Sequence, residues 1–243
     1  MQNDAVDVVW RPRTSWEGCD LGVRLLQSWL RPVFACYLAA AVPLFCLFAA
    51  TGAAVSWMPA LLIWISKPWL DRTILFVLSR ALFGRPTSPL EVWRARADVW
   101  WHQLAATLTL RRLTASRSFT QPIVQLEGLR GPELRARISQ LAARHRGVAR
   151  AATQAFAAAE LALFVSVFFL QVWLAPHTDA NPWSDLQSLG RPGHAWVSTI
   201  EYAAVVLFLE PFYVAAGFGM YLNRRVELEA WDIEQEFRRA FAR

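Results

Sequence analysis

From Pro32 to Ser66 the chain runs 35 residues without a charged side chain. As one helix this stretch would be about 50 Å long, against a bilayer hydrocarbon core of about 30 Å. It is too long for one crossing and too apolar for a water-facing surface. Thr51-Gly52 is the natural break. The first span is then Val33–Thr51, and a second opens near Val55. To reach full length the second must pass Lys67, Pro68, Asp71 and Arg72. The expectation is a helix that exits, kinks or lies flat at ISKPWLDR, followed by an interfacial segment TILFVLSRALFG.

Two later segments have span length without such a detour. Ala151–Leu174 holds Glu160 as its only ionisable residue, and Val197–Leu222 holds Glu201 and Glu210. Between Ile200 and Leu222 lie ten Leu, Ile, Val or Phe residues. They favour insertion by about 3–6 kcal/mol, and a central carboxylate opposes it by roughly 3 kcal/mol. Insertion wins. With 55% hydrophobic residues and 13 Trp, the chain is also excluded from the disordered, collagen-like and disulfide-stapled classes.

Charge placement sets the threading, because Arg and Lys gather in short cytoplasmic flanks. Residues 85–150 carry 12 Arg, the part up to Pro32 carries 4 and the part after Leu222 carries 5, whereas 175–196 carries only Arg191. Four crossings put every Arg-rich stretch on one side. The expected fold is therefore an all-α polytopic membrane protein with about four transmembrane helices plus amphipathic interfacial helices. Both termini are expected on the cytoplasmic face. A cleaved signal peptide is not expected, since the first apolar run begins late and follows four acidic residues. The near-absence of Lys suits a GC-rich genome and hence a bacterial inner membrane.

The resulting organisation is an N-terminal amphipathic segment (1–32), helices 1 and 2 with their interfacial extension (33–83) and an Arg-rich cytoplasmic helical segment (84–150). Helices 3 and 4 follow with a periplasmic loop (151–222, loop 175–196), then an amphipathic tail (223–243). In the first segment Thr14 and Glu17 form a capping box, and Trp16, Cys19, Val23, Leu26 and Leu30 share one stripe. Such a helix lies in the headgroup plane or packs on the cytoplasmic segment. Ser88-Pro89-Leu90-Glu91 opens another, with Leu90, Trp93, Ala97, Trp100, Trp101, Leu104 and Leu108 as its apolar face. Trp on one side and Arg on the other suits anionic lipid headgroups. SRSFTQPIVQLEGLRG is expected to be a loop, with a short extended piece at IVQL, before a helix from Pro132-Glu133 to His145. In the tail, Val226, Ala230, Ile233, Phe237 and Phe241 form a stripe, and Glu234 pairs with Arg238.

Hydrolase, nucleotide-binding and zinc-protease signatures are missing from the sequence. Cys19, Cys36 and Cys46 are expected as plain thiols. His177, Asp179, Asp185 and His194 in the periplasmic loop lack a ligand spacing, so no metal site, cofactor or catalytic residue is assigned. The Arg content is accounted for by threading, so no nucleic-acid partner is expected. The expected partners are the lipid bilayer and its anionic headgroups, with a membrane-protein partner or a second copy also open.

The sharpest feature is the pair of carboxylates in apolar helices. Glu210 precedes Pro211, whose missing N–H frees a carbonyl near the middle of the last span. Glu160 lies on the neighbouring span at a depth differing by about 8 Å. A buried carboxylate must be protonated or paired. Lys67, Arg72, Arg80, Tyr213 and Gln154 are the candidate partners. The candidate polar site is thus Glu160, Glu210, Pro211 and Tyr213, with an interfacial charge cluster of Lys67, Asp71, Arg72 and Arg80. An ion pair that merely fixes helix packing competes with a proton, cation or substrate site. The Ala-rich start of the third span, from Ala151 to Ala162, is expected to pack on Gly217 and Gly219 of the fourth.

Two strings, KPWLDRTILFVLSRALFG and FYVAAGFGMYLNRRVELEAWDIEQEFRR, resemble ones from an uncharacterised family of proteobacterial inner-membrane proteins. The resemblance extends over most of the chain and brings no activity or catalytic residue. Relatives neighbour a transglutaminase-like membrane protein, which implies an accessory role in an envelope system. The first functional expectation is therefore a non-enzymatic accessory or scaffold subunit of an envelope-associated membrane assembly. The second is a small transporter or channel using Glu210 and Glu160. The third is a lipid-modifying enzyme at the cytoplasmic interface around Lys67, Asp71, Arg72 and Glu127.

Overall fold

The computed structural model describes residues 13–101, 114, 116–143, 145–174 and 192–229. Every regular element among them is helical: α1 (Ser15–Ser28), α2 (Leu30–Ala50), a 3₁₀ turn (Thr51–Ala53), α3 (Met58–Ala81), α4 (Pro89–Arg94), a π-helical turn (Ala97–Trp101), α5 (Arg117–Leu126), α6 (Gly131–Ala142), α7 (Arg146–Leu174) and α8 (Pro192–Glu229). Three stretches, Leu30–Ala53, Arg146–Gln171 and Trp196–Glu229, are long and apolar enough to cross a membrane. The tail stripe beyond Glu229, the loop from 175 to 191, and His102, Leu104 and Leu108 lie outside the described residues.

The α2–α3 turn falls at Thr51-Gly52, as the composition requires. The sequence at ISKPWLDR behaves differently from expectation. α3 is one helix of 24 residues that runs through Pro68, and TILFVLSRA continues it as far as Ala81. Leu70, Ile74, Leu75 and Leu78 are fully buried. Neighbouring helices close around Lys67, Asp71 and Arg72 of α3 and bury them.

The stretch expected as a loop with an extended piece at IVQL is helix α5. Phe119 and Ile123 point into the core one turn apart, and Pro122 is accommodated within the helix. α5 is bound to α3 at two levels, with Gln121 Nε2 donating to the Pro68 carbonyl (3.2 Å) and Gln125 Nε2 to the Arg72 carbonyl (2.9 Å). The α4 segment also turns differently from its expected stripe. Val92, Val99 and Trp100 face inward, while Leu90, Trp93 and Trp101 are exposed. Trp100 Nε1 donates to Thr73 Oγ1 at 2.9 Å, and its ring meets Trp69 at 4.9 Å.

α1 begins with the expected capping box: Thr14 Oγ1 accepts from the Glu17 N–H, and Glu17 accepts from the Thr14 N–H. It packs chiefly along α8, with Ser15 meeting His145 of the Arg-rich segment. Its Gly18 and Gly22 press against α8, where a Cβ added at Gly219 would come within 2.8 Å of Gly22 Cα. Only glycine permits that approach. Gly219 therefore receives α1 and Gly217 receives Ser118 of α5, instead of the Ala-rich face of α7. Ala155, Ala157 and Ala158 on that face are exposed.

The Arg-rich ends converge on the C-terminal part of α8. Asn223 exchanges hydrogen bonds with the backbone of Arg13 (2.7 and 2.9 Å). Arg137 binds Glu127 (2.7 Å) and Glu229 (2.5 Å). Its guanidinium is held above its ordinary range by the Glu127 hydrogen bond, which outweighs its partial burial. Ser15 Oγ and His145 Nδ1 share a hydrogen bond (2.5 Å), and His145 Nε2 lies 3.5 Å from Glu227.

Candidate functional site: a buried charge cluster at the end of an apolar groove

Five ionisable side chains meet where α3, α5, α7 and α8 come together. Lys67 and Asp71 are one turn apart on α3 and so share a face. Lys67 Nζ bridges two carboxylates, Glu160 of α7 at 2.5 Å and Glu210 of α8 at 2.7 Å. Arg117, the first residue of α5, does the same from the opposite side. Its Nη2 lies 2.5 Å from Glu210 and its Nε 3.2 Å from Asp71. The Arg117–Asp71 contact is close without hydrogen-bond alignment, since neither Asp71 oxygen nor Arg117 Nε has a hydrogen-bond partner. Burial disfavours the Arg117 charge, yet Asp71 and then Glu210 outweigh that cost and hold it above the usual guanidinium range.

α8 positions this arrangement with a single face. Glu210, Tyr213 and Gly217 recur at i, i+3 and i+7. Gly217 has no side chain, so the Ser118 backbone of α5 lies directly against it. Tyr213 Oη then accepts from the Ser118 N–H at 3.2 Å, and the Arg117 guanidinium lies 5.1 Å from the Tyr213 ring centre. A residue larger than glycine at 217 would push α5 away and take Arg117 off Glu210. The second anchor is Tyr202 Oη, which donates to Glu160 Oε1 at 3.0 Å.

Ionised together, Asp71, Glu160 and Glu210 carry three negative charges against the two positive charges of Lys67 and Arg117. Such a cluster is costly to assemble, because desolvation consumes most of the Coulomb attraction. Two spaces adjoin it. A cavity of about 150 Å³ is lined by Lys67, Arg117, Thr153, Glu160, Glu210 and Tyr213 among others. An open groove of about 850 Å³ runs between α3, α7 and α8, walled by Trp57, Leu61, Leu161, Phe164 and Tyr202 with Ser56, Ser198 and Thr199. Trp64, Ala157 and Glu160 line both spaces. Among the described residues, Glu160 is therefore the charged side chain that faces the groove.

The structure brings Glu160, Glu210, Tyr213, Lys67 and Asp71 together and places Pro211 beside Glu210 within a continuous α8. Pro211 removes the amide that the Leu207 carbonyl would otherwise receive. Arg80 is elsewhere, paired with Glu91 at 3.0 Å where both are more than a third exposed. Arg72 is 2% exposed and contributes its carbonyl to Gln125. Gln154 is exposed. Glu127 is bound to Arg137 and Tyr221, apart from Lys67 and Asp71. Glu201, on the same helix as Glu210, is buried with no hydrogen-bond partner on either oxygen. Arg117 is the member that sequence reasoning passed over. Its signal was present: Arg117, Gln121 and Gln125 share one helical spacing and Phe119 and Ile123 another, on either side of Pro122.

Among the described residues no group of three or more His, Cys, Asp or Glu side chains is placed to hold a metal ion. No protein-family profile, curated protein or solved structure matches the chain. The likeness of its two strings to proteobacterial inner-membrane proteins rests on those residues alone.

Proposed function

We propose that this is a multi-pass protein of a bacterial inner membrane, with four crossings and cytoplasmic ends, that works as a small transporter through the site around Glu160 and Glu210. In this reading α3 is the fourth crossing. Its 24 residues extend about 36 Å, enough for a bilayer core, and Lys67, Asp71 and Arg72 turn inward, away from lipid, while Arg80 sits in its last turn. The pairing of Arg13 with Asn223 and of Arg137 with Glu229 supports a common side for the Arg-rich ends.

The observation that carries the transport reading is the meeting of an excess of carboxylates with a space open to the outside of the bundle. A charge cluster serving only to fix helix packing gains from being sealed, because access lets the interaction be screened. Here Glu160 stands at the boundary between cavity and groove. A site of this composition exchanges a proton for a positively charged solute while its total charge stays nearly constant. The test is an infrared titration of the purified chain in lipid nanodiscs. A buried carboxyl band that appears and disappears with pH is expected from the cluster, and Asp71→Asn, which removes the cluster's carboxyl group whose oxygens lack hydrogen-bond partners, should abolish it while Glu201→Gln leaves it and the protein remains monodisperse. A wild-type spectrum without any titrating buried carboxyl group would end this reading.

The accessory-subunit reading has one observation in its favour. The most apolar window of α7 has none of its residues buried, against 67% for α8. Leu161, Phe169, Leu170 and Trp173 are all exposed. A partner helix seated there would be recovered by crosslinking and mild-detergent pull-down, and repeated failure to recover one would count against it.

A further inference from the structure

We infer that the groove binds a lipophilic cation, its apolar body between α3 and α7 and its positive head at Glu160. This inference rests on the transporter reading and names its substrate class. The wall chemistry comes first. Trp57, Trp64, Phe164 and Tyr202 supply aromatic faces along the groove, and such faces attract cations as well as apolar surface. A bare metal ion or a hydrophilic polyamine would leave that wall facing nothing it can satisfy. The volume of about 850 Å³ lies within the range of pockets that enclose drug-sized ligands.

The sign of the head follows from the charges. The two cations of the cluster are each already held between two carboxylates, Lys67 by Glu160 and Glu210 and Arg117 by Asp71 and Glu210. An anionic head would have to displace a carboxylate from one of them. A cationic head instead takes the place of the third carboxyl group's proton, at Glu160, the acidic side chain that lines the groove among the described residues. Trp64 stands beside Glu160 at the junction of the two spaces, so ring and carboxylate converge on one position. Binding there favours loss of a proton from the cluster, which couples the cation to proton release.

The test uses the full chain in nanodiscs of uncharged lipid with radiolabelled tetraphenylphosphonium, and tetraphenylborate as a probe of the same shape and opposite charge. Saturable binding of the phosphonium and none of the borate is expected. Glu160→Gln and Trp64→Ala should each weaken it by about tenfold, while Trp64→Phe, which keeps an aromatic face, should retain most of it. Thermal unfolding of each variant checks that it folds. If Glu160→Gln fails to fold, the phosphonium–borate contrast and the Trp64 pair still decide. Equal binding of both ions, no saturable binding, or a Trp64→Ala variant that binds like wild type would overturn the inference. If the phosphonium fails while the carboxyl band still titrates, only the inference falls. If the phosphonium binds saturably and no carboxyl titrates, the proton-exchange reading falls and the cation site stands.

Discussion

Replacing Gly22 by alanine tests the packing that holds the N-terminal helix. An added Cβ would overlap the Ala215 carbonyl of α8, 2.7 Å from its carbon and 3.0 Å from the Gly219 nitrogen. Ordinary carbon–carbon contact is about 3.5–4.0 Å, so the two backbones must part by about 1 Å. Neither can yield by a side-chain rotation, because both colliding surfaces are main chain. Overpacking of this kind costs about 1–3 kcal/mol. A ceiling comes from complete undocking of α1, which would expose Leu25 and Leu26, now 5% and 0% accessible. At about 1.5–3 kcal/mol for each leucine that ceiling is about 3–6 kcal/mol. We expect a loss near 3 kcal/mol, or about 6–12 °C in melting temperature for a chain of this size. Gly147→Ala is the control. It lies in the first turn of α7 with nothing within 4 Å of an added Cβ, and should be neutral or gain up to about 1 kcal/mol in helix propensity. Unfolding in detergent followed by circular dichroism, with limited proteolysis of α1, reads both variants. Gly22→Ala melting with wild type while α1 stays protected would refute the argument, as would equal losses in the two variants.

Three further outcomes are expected. Arg117→Gln leaves Asp71 and Glu210 facing each other and should cost about 3–5 kcal/mol in detergent unfolding. Arg117→Lys should recover part of it, and an unchanged Arg117→Gln would deny the ion pairs. Arg137→Ala removes contacts to Glu127 and Glu229 that water partly screens, so its cost should stay near or below about 1 kcal/mol and shrink as salt rises. Burial, aided by the neighbouring Asp20 charge, pushes the Cys19 thiol up to about 11. In a chain whose other cysteines are replaced, maleimide labelling of Cys19 should therefore be slow at neutral pH and climb about tenfold per pH unit toward that value, because the thiolate is the reactive form. A plateau near the ordinary 9.0 would contradict its buried placement.

The helices that sequence reasoning located best are those whose pattern is local. The charge-free run broke at Thr51-Gly52, and the Thr14–Glu17 capping box opened α1, because turn and cap chemistry reside in adjacent residues. The carboxylates of Glu160 and Glu210 were conspicuous for the opposite reason: each is isolated in an apolar helix and so requires a partner. Lys67 could be nominated as that partner. Its bridging of both carboxylates could not be read, since it depends on α3 continuing through Pro68 between α7 and α8. α5 was concealed by Pro122 and the glycines at 128 and 131, which punctuate like a loop. Its helix is secured by tertiary contacts, the two glutamine bonds to α3 and the fit of Ser118 against Gly217. Glycine positions carried similar ambiguity. Gly217 and Gly219 announced close approach, but the spacing alone did not say that α5 and α1, not α7, would occupy them.

One consequence follows from the length of α8. Its 38 residues form a rod about 57 Å long, and 13 residues, about 20 Å of axial rise, separate Glu210 from Asn223. The lower part of that rod is clasped by the chain's opening helix, while its centre supplies a wall of the charged chamber. α1 and the charged chamber thereby share one continuous helix, so a substitution that loosens α1 at Gly219 also alters the support of Gly217 and Glu210 further along it.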